Sequence, residues 1–104
     1  MSSQSIAKAL TIRELPRSER PRERLKHLGA QSLGAAELIA IVLGTGTGRK
    51  SSLDLAHAIM ASAGGSLRRL AAQPVAAVTA LEGVGAARAT AIHAALELGR
   101  RAAC

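Results

Sequence analysis

Apolar residues recur along this chain at helical spacing, and no alternating strand pattern runs longer than four residues. The stretch PRERLKHL reads as a short helix that Pro21 opens and Gly29 ends. In LGAAELIAIVLG, Gly34 serves as N-cap and Glu37 sits near the positive helix end. Leu38, Ile41 and Val42 form an i, i+3, i+4 stripe predicted to face the core, and Gly44 ends this helix. After a glycine-rich turn, Ser51-Ser52-Leu53-Asp54 forms a capping box with Asp in place of Glu. The helix SLDLAHAIMAS follows, with Leu55, Ile59 and either Ala56 or Leu53 inward, and Gly64-Gly65 stop it. Ser66 caps LRRLAAQ, and Pro74 fits the first position of PVAAVTAL. Residues 82–85 break that helix. The last one, AARATAIHAALELGRR, carries the clearest stripe, Ala89, Ile92, Leu96 and Gly99, with Arg88, Arg100 and Arg101 off it. The pattern predicts an all-α fold, a small bundle of about five to six helices. Residues 1–20 read as a flexible basic arm, and 21–104 as the domain.

Composition sharpens this picture. A chain of 104 residues supports one domain with a modest core. It has no Phe, Tyr or Trp but 23 alanines, so the helices are expected to be thin and closely spaced. The net charge of +7 points to a polyanionic partner. Readers of single strands mostly stack bases on aromatic rings. Without such rings, the expected grip is on the phosphate backbone of duplex or branched DNA, without sequence choice. Residues 12–28 carry six of the 14 basic residues and read either as a solvated linker or as an arm that strengthens the hold on polyanions. The one cysteine, Cys104, forms no disulfide within the chain, which fits a reducing bacterial cytoplasm. The longest apolar stretch, around Leu38 to Leu43, is too short to span a membrane. The N-terminus lacks the apolar core of a signal peptide, and Glu14, Glu19 and Glu23 argue against an Arg-rich presequence.

Two turns hold the candidate chemistry. GTGTGRKS, residues 44–51, has the Lys50-Ser51 pair of a P-loop but carries Arg49 where the second glycine belongs. The dinucleotide pattern fails at the same slot, and the preceding AAELIAIVL favours helix over the strand both motifs need. No nucleotide is expected there. The second turn lies in TALEGVGAARATAIHAAL. Val84 tucks the turn under two helices, and Gly83 and Gly85 permit turn angles closed to other residues. The amides of Gly85 and Ala86 then open the next helix, where the dipole favours an anion, and Arg88 adds charge. This arrangement resembles the helix-hairpin-helix motif, which binds duplex backbones without reading sequence. The first turn precedes it by 39 residues (83 − 44) and suggests a related hairpin. Gly46, Arg49, Lys50 and Ser51 there are candidates for a second phosphate, beside Gly83, Val84, Gly85, Ala86 and Arg88 for the first. A purely structural turn is the competing reading for each.

The blocks PRERLKHLGAQSLGAAELIAIVLGTGTGRKSSLDLA and LEGVGAARATAIHAALELGRR resemble the N-terminal domain of RadC-type (UPF0758-like) proteins, a bacterial family once linked to DNA repair. The resemblance runs from about Leu15 to Arg101 and implies a tandem helix-hairpin-helix domain. Such proteins pair it with a C-terminal JAB/MPN domain similar to zinc-dependent isopeptidases, whose H-x-H-P-S-G motif does not occur here. The sequence departs from the family pattern at Gly34-Ala35, where Ser-Asp is common. Many other hairpins carry lysine at the position of Ala87, so Arg88 must supply the charge. His27, His57 and His93 lack metal-ligand spacing, with His57 and His93 expected at helix surfaces. No serine lies in a nucleophile-elbow context, and no carboxylate pair is placed for acid–base work. The chain is thus expected to be a non-enzymatic DNA-binding module without cofactor or metal. The rival expectation is a protein-interaction module that positions a JAB-like metallopeptidase domain.

Overall fold

The computed structural model describes residues 20–103. The arm expected over residues 1–20 therefore lies outside the described residues except for Arg20, and Cys104 also lies outside them. The described chain is helical with no strand. It runs through α1 (Pro21–Leu28), a 3-10 turn (Ala30–Ser32), α2 (Ala35–Leu43), α3 (Ser52–Ser62), α4 (Leu67–Ala72), α5 (Val75–Thr79) and α6 (Gly85–Ala103). The all-α expectation is borne out.

Local chemistry sets the helix ends. Pro21 occupies the first turn of α1, and Gly29 ends that helix at φ +87°. Gly34 has no side chain to cap with, so α2 is held by the other half of the box: the Gly34 N–H donates to Glu37 Oε1 at 3.1 Å. The box predicted at Ser51 is complete. The Asp54 N–H donates to Ser51 Oγ at 3.1 Å, and the Ser51 N–H donates to Asp54 Oδ2 at 3.2 Å. Ser66 caps α4 through the Arg69 N–H. Pro74 stands one position earlier than expected, as the N-cap of α5.

Helices α2 and α3 form one hairpin and α5 and α6 the other. Helix α6 packs on α2 and α4, and α1 lies against α2. Leu55, Ile59, Leu70, Val78, Val84 and Ile92 are fully buried between these helices. Ala40, Ala56 and Ala89 are buried with them and allow close helix approach. Each buried leucine or isoleucine contributes about 1.5–3 kcal/mol relative to exposure. The stripe predicted on α2 is corrected. Leu38 and Val42 are 36% and 42% exposed, while Ile39, Ala40 and Leu43 are buried. At the start of this helix the Glu37 carboxylate bonds the Arg24 guanidinium of α1, which also donates to the Ser32 carbonyl. On α6, Ala89 and Ile92 are buried as expected and Leu96 packs against the core, but Gly99 is exposed.

His57 is exposed, but His93 is half-buried. Its Nδ1 lies 3.1 Å from the Ala89 carbonyl oxygen and its Nε2 lies 2.9 Å from that of Gln73. A neutral ring donates only one of these bonds. The contact ties α6 to the link between α4 and α5.

Candidate nucleic-acid interface

The two glycine turns lie side by side. A Cβ added at Gly83 would meet Thr47 Cγ2 at 3.5 Å, and Lys50 Nζ is 3.8 Å from Glu82 Oε2. Their similarity in sequence does not extend to their free hydrogen-bonding groups.

In the first turn the amides of Thr47, Arg49, Lys50 and Ser51 are taken internally. Thr47 Oγ1 accepts the N–H groups of Arg49 at 3.3 Å and Lys50 at 3.0 Å, and the Thr47 N–H donates to the Lys50 carbonyl at 2.8 Å. Gly46 is sterically required here, since a Cβ would fall 2.2 Å from the Lys50 carbonyl oxygen. The Ser51 amide is taken by Asp54, whose carboxylate also occupies the positive end of α3. An incoming phosphate would meet a negative charge at that point. The side chain of Arg49 is exposed and engages no carboxylate among the described residues. Lys50 is partly covered and faces Glu82.

The second turn is open. Val84 is buried beneath it, and its N–H donates to the Leu81 carbonyl at 3.1 Å. Gly83 and Gly85 hold φ of +83° and +72°, values that side chains strongly disfavour. Nothing lies within 4 Å of a Cβ built at Gly85. Gly85, Ala86 and Ala87 are exposed, and helix α6, 19 residues long, has no acidic residue in its first turn. Its leading amides have no carbonyl one turn back to donate to. Backbone donors, helix dipole and an open approach therefore coincide at this turn.

Arg88 is placed differently from the exposed cation that the sequence suggested. It is half-buried, and its guanidinium lies between the two turns. Nη1 donates to the Gly83 carbonyl at 3.3 Å, and Nη2 donates to those of Thr45 at 3.0 Å and Gly46 at 3.4 Å.

Sequence reasoning missed Arg22. It is exposed on α1 and places Nη2 3.8 Å from the Cβ position of Gly44, at the edge of the first turn. The docking of α1 on α2 brings it there, and the sequence marked it only as one of six basic residues in the run 12–28. Among the described residues no group of three or more His, Cys, Asp or Glu is arranged to hold a metal ion. No helix there is long and apolar enough to cross a membrane.

A family model described as UPF0758 N-terminal matches residues 12–90, well over half of the chain. The chain belongs to the UPF0758 family. A UPF0758 protein of Syntrophomonas wolfei is 48% identical over 92 residues, covering 88% of this chain and 39% of that protein. One from Desulforudis audaxviator is 50% identical over 95 residues, covering 91% and 41%. One from Porphyromonas gingivalis is 43% identical over 93 residues, covering 88% and 41%. The chain thus spans about two fifths of the length of the curated UPF0758 relatives it matches. No solved structure matches it.

Proposed function

We propose that this UPF0758 domain is a non-enzymatic module that holds the phosphate backbone of duplex or branched DNA without reading sequence. The observation that carries the reading is the open second turn: exposed amides of Gly85 to Ala87 at the start of a long helix, unopposed by any carboxylate in that first turn. Exposed Arg49 and Arg22 stand at the neighbouring turn to meet flanking phosphates, and the chain's +7 charge favours encounter with a polyanion. With the Arg49, Lys50 and Ser51 amides taken internally, the first turn contributes side-chain charge and the second contributes backbone donors.

The test is a titration of dye-labelled duplex DNA at about 50 and about 200 mM salt. The label belongs on the DNA because the protein has no Trp or Tyr. Counterion release gives a slope of about −0.9 in log affinity against log salt per phosphate contacted, and sequence-independent binding typically falls at about 10⁻⁴–10⁻⁶ M. We expect a slope of about −2 to −3, reduced in magnitude by about 0.9 in Arg49→Ala. Absence of binding at the lower salt would overturn the reading.

A second reading, a module that docks another protein or a JAB-like domain, draws on a different face. There Leu67, Ala71 and Leu96 line an open groove between α4 and α6. A domain inert toward DNA that retains a protein partner after loss of Arg49 would favour it.

A further inference from the structure

We infer that Arg88 is a positioning residue, and that the first glycine turn serves as its receptor. The inference rests on the proposed DNA reading for its functional half and on geometry alone for its structural half. A cation at the first turn of a hairpin helix would ordinarily be taken for a phosphate ligand. Here its terminal nitrogens are committed to three backbone carbonyls, those of Gly83, Thr45 and Gly46. Its Nε is buried with no partner among the described residues, so the hold rests on these three bonds. Two of them reach back 43 and 42 residues, to the other hairpin.

The arrangement needs the fork of a guanidinium. Planar, multiply donating geometry reaches carbonyls on two separate segments at once, which a compact ammonium does not reproduce. The receiving turn is correspondingly rigid. Gly46 is fixed by its close approach to the Lys50 carbonyl, and Thr47 binds the Arg49 and Lys50 amides. Together these features aim the Thr45 and Gly46 carbonyls at Arg88. They also account for the glycine-rich geometry of the first turn, whose Thr45 and Gly46 carbonyls form the receptor. The consequence is that the two turns move as one body, and that the open turn presents its amides in a fixed orientation only while the first turn is intact.

Arg88→Lys keeps the charge and removes the fork. The first measurement uses DNA-free protein: amide hydrogen exchange at Thr47 and Lys50, on the hairpin opposite the substitution. We expect exchange there to quicken at least about tenfold, since a lost link lowers the free energy of local opening. Unchanged exchange would overturn the coupling. The second measurement is DNA affinity at both salts. A positioning role predicts that Arg88→Lys binds at least about tenfold more weakly than the parent with the same salt slope. A plain phosphate ligand would tolerate lysine, so parent-like affinity would overturn the positioning role. If Arg88→Lys fails to fold, the parent protein decides. Resolved, slowly exchanging Nη protons that hold their chemical shifts on DNA addition mark a staple, whereas shifts that follow the DNA titration mark a ligand. Should the parent not bind DNA at all, the proposed function falls, and the exchange experiment still tests the coupling by itself.

Discussion

The two glycines of the second turn provide a controlled comparison, because both hold positive φ but only one is packed. Gly83→Ala carries two costs. Placing alanine at φ +83° costs about 1–2 kcal/mol. Its Cβ would also fall 2.9 Å from Leu55 Cδ2. Leu55 is fully buried and has little room to yield, so overpacking adds about 1–3 kcal/mol. Gly85→Ala, at φ +72° with open space around its Cβ, carries only the first cost. The gain from restricting the unfolded chain is common to both variants and cancels in their difference. The expected gap is therefore about 1–3 kcal/mol, with Gly83→Ala the weaker protein. A domain of this size shifts by about 4–8 °C in Tm per kcal/mol, so the two melting points should differ by about 5–20 °C. Guanidinium and thermal melts followed by circular dichroism at the helix band suit a chain without Trp or Tyr. Equal losses, or a larger loss in Gly85→Ala, would refute the packing of Leu55 under this turn.

Other outcomes follow from single contacts. Ser51→Ala removes the acceptor of the Asp54 N–H and should cost about 1 kcal/mol, read in the same melts. Hydrogen bonds from Arg100 and then Arg101 hold the Glu97 carboxyl down to about 2, from an ordinary 4.5. With the folded value depressed, its contribution is fully present above about pH 4.5 and is lost as pH falls toward 2. Carboxyl-carbon NMR should place its midpoint there in the parent and nearer 4.5 in an Arg100→Gln, Arg101→Gln double variant; a parent midpoint near 4.5 would discount these bonds. The change in salt slope on Arg49→Ala separates a side chain that touches phosphate from one that is merely nearby.

Much of the fold was legible because its punctuation is chemical. Pro21, the Ser51–Asp54 box, Ser66 and the Gly64-Gly65 pair act through their own backbone geometry, and each marks a helix end in the structure. The face of α2 was not legible for the opposite reason. In AAELIAIVL only Glu37 is polar, so apolar periodicity cannot choose a side. Tertiary packing makes the choice by burying Ile39, Ala40 and Leu43, with Glu37 paired to Arg24 13 residues away. At the candidate interface, the Gly-Val-Gly turn was visible because positive φ and a buried central residue leave a sequence signature. The unequal status of the two turns was not visible. It depends on where the Thr47 hydroxyl and the Asp54 carboxylate point, and on carbonyls more than forty residues from Arg88.

The reach of Arg88 also bears on how the domain is assembled and lost. Each hairpin closes over a short segment and can form early, because closing a short loop costs little entropy. The Arg88 bonds require both hairpins to be complete and docked, since their partners lie 42 and 43 residues away. Contacts made after the rate-limiting step leave the folding rate nearly unchanged and slow unfolding instead. A guanidinium that waits for both hairpins is a late latch, and Arg88→Lys is then expected to speed unfolding while leaving refolding nearly unchanged in stopped-flow circular dichroism; an equal slowing of refolding would overturn that order.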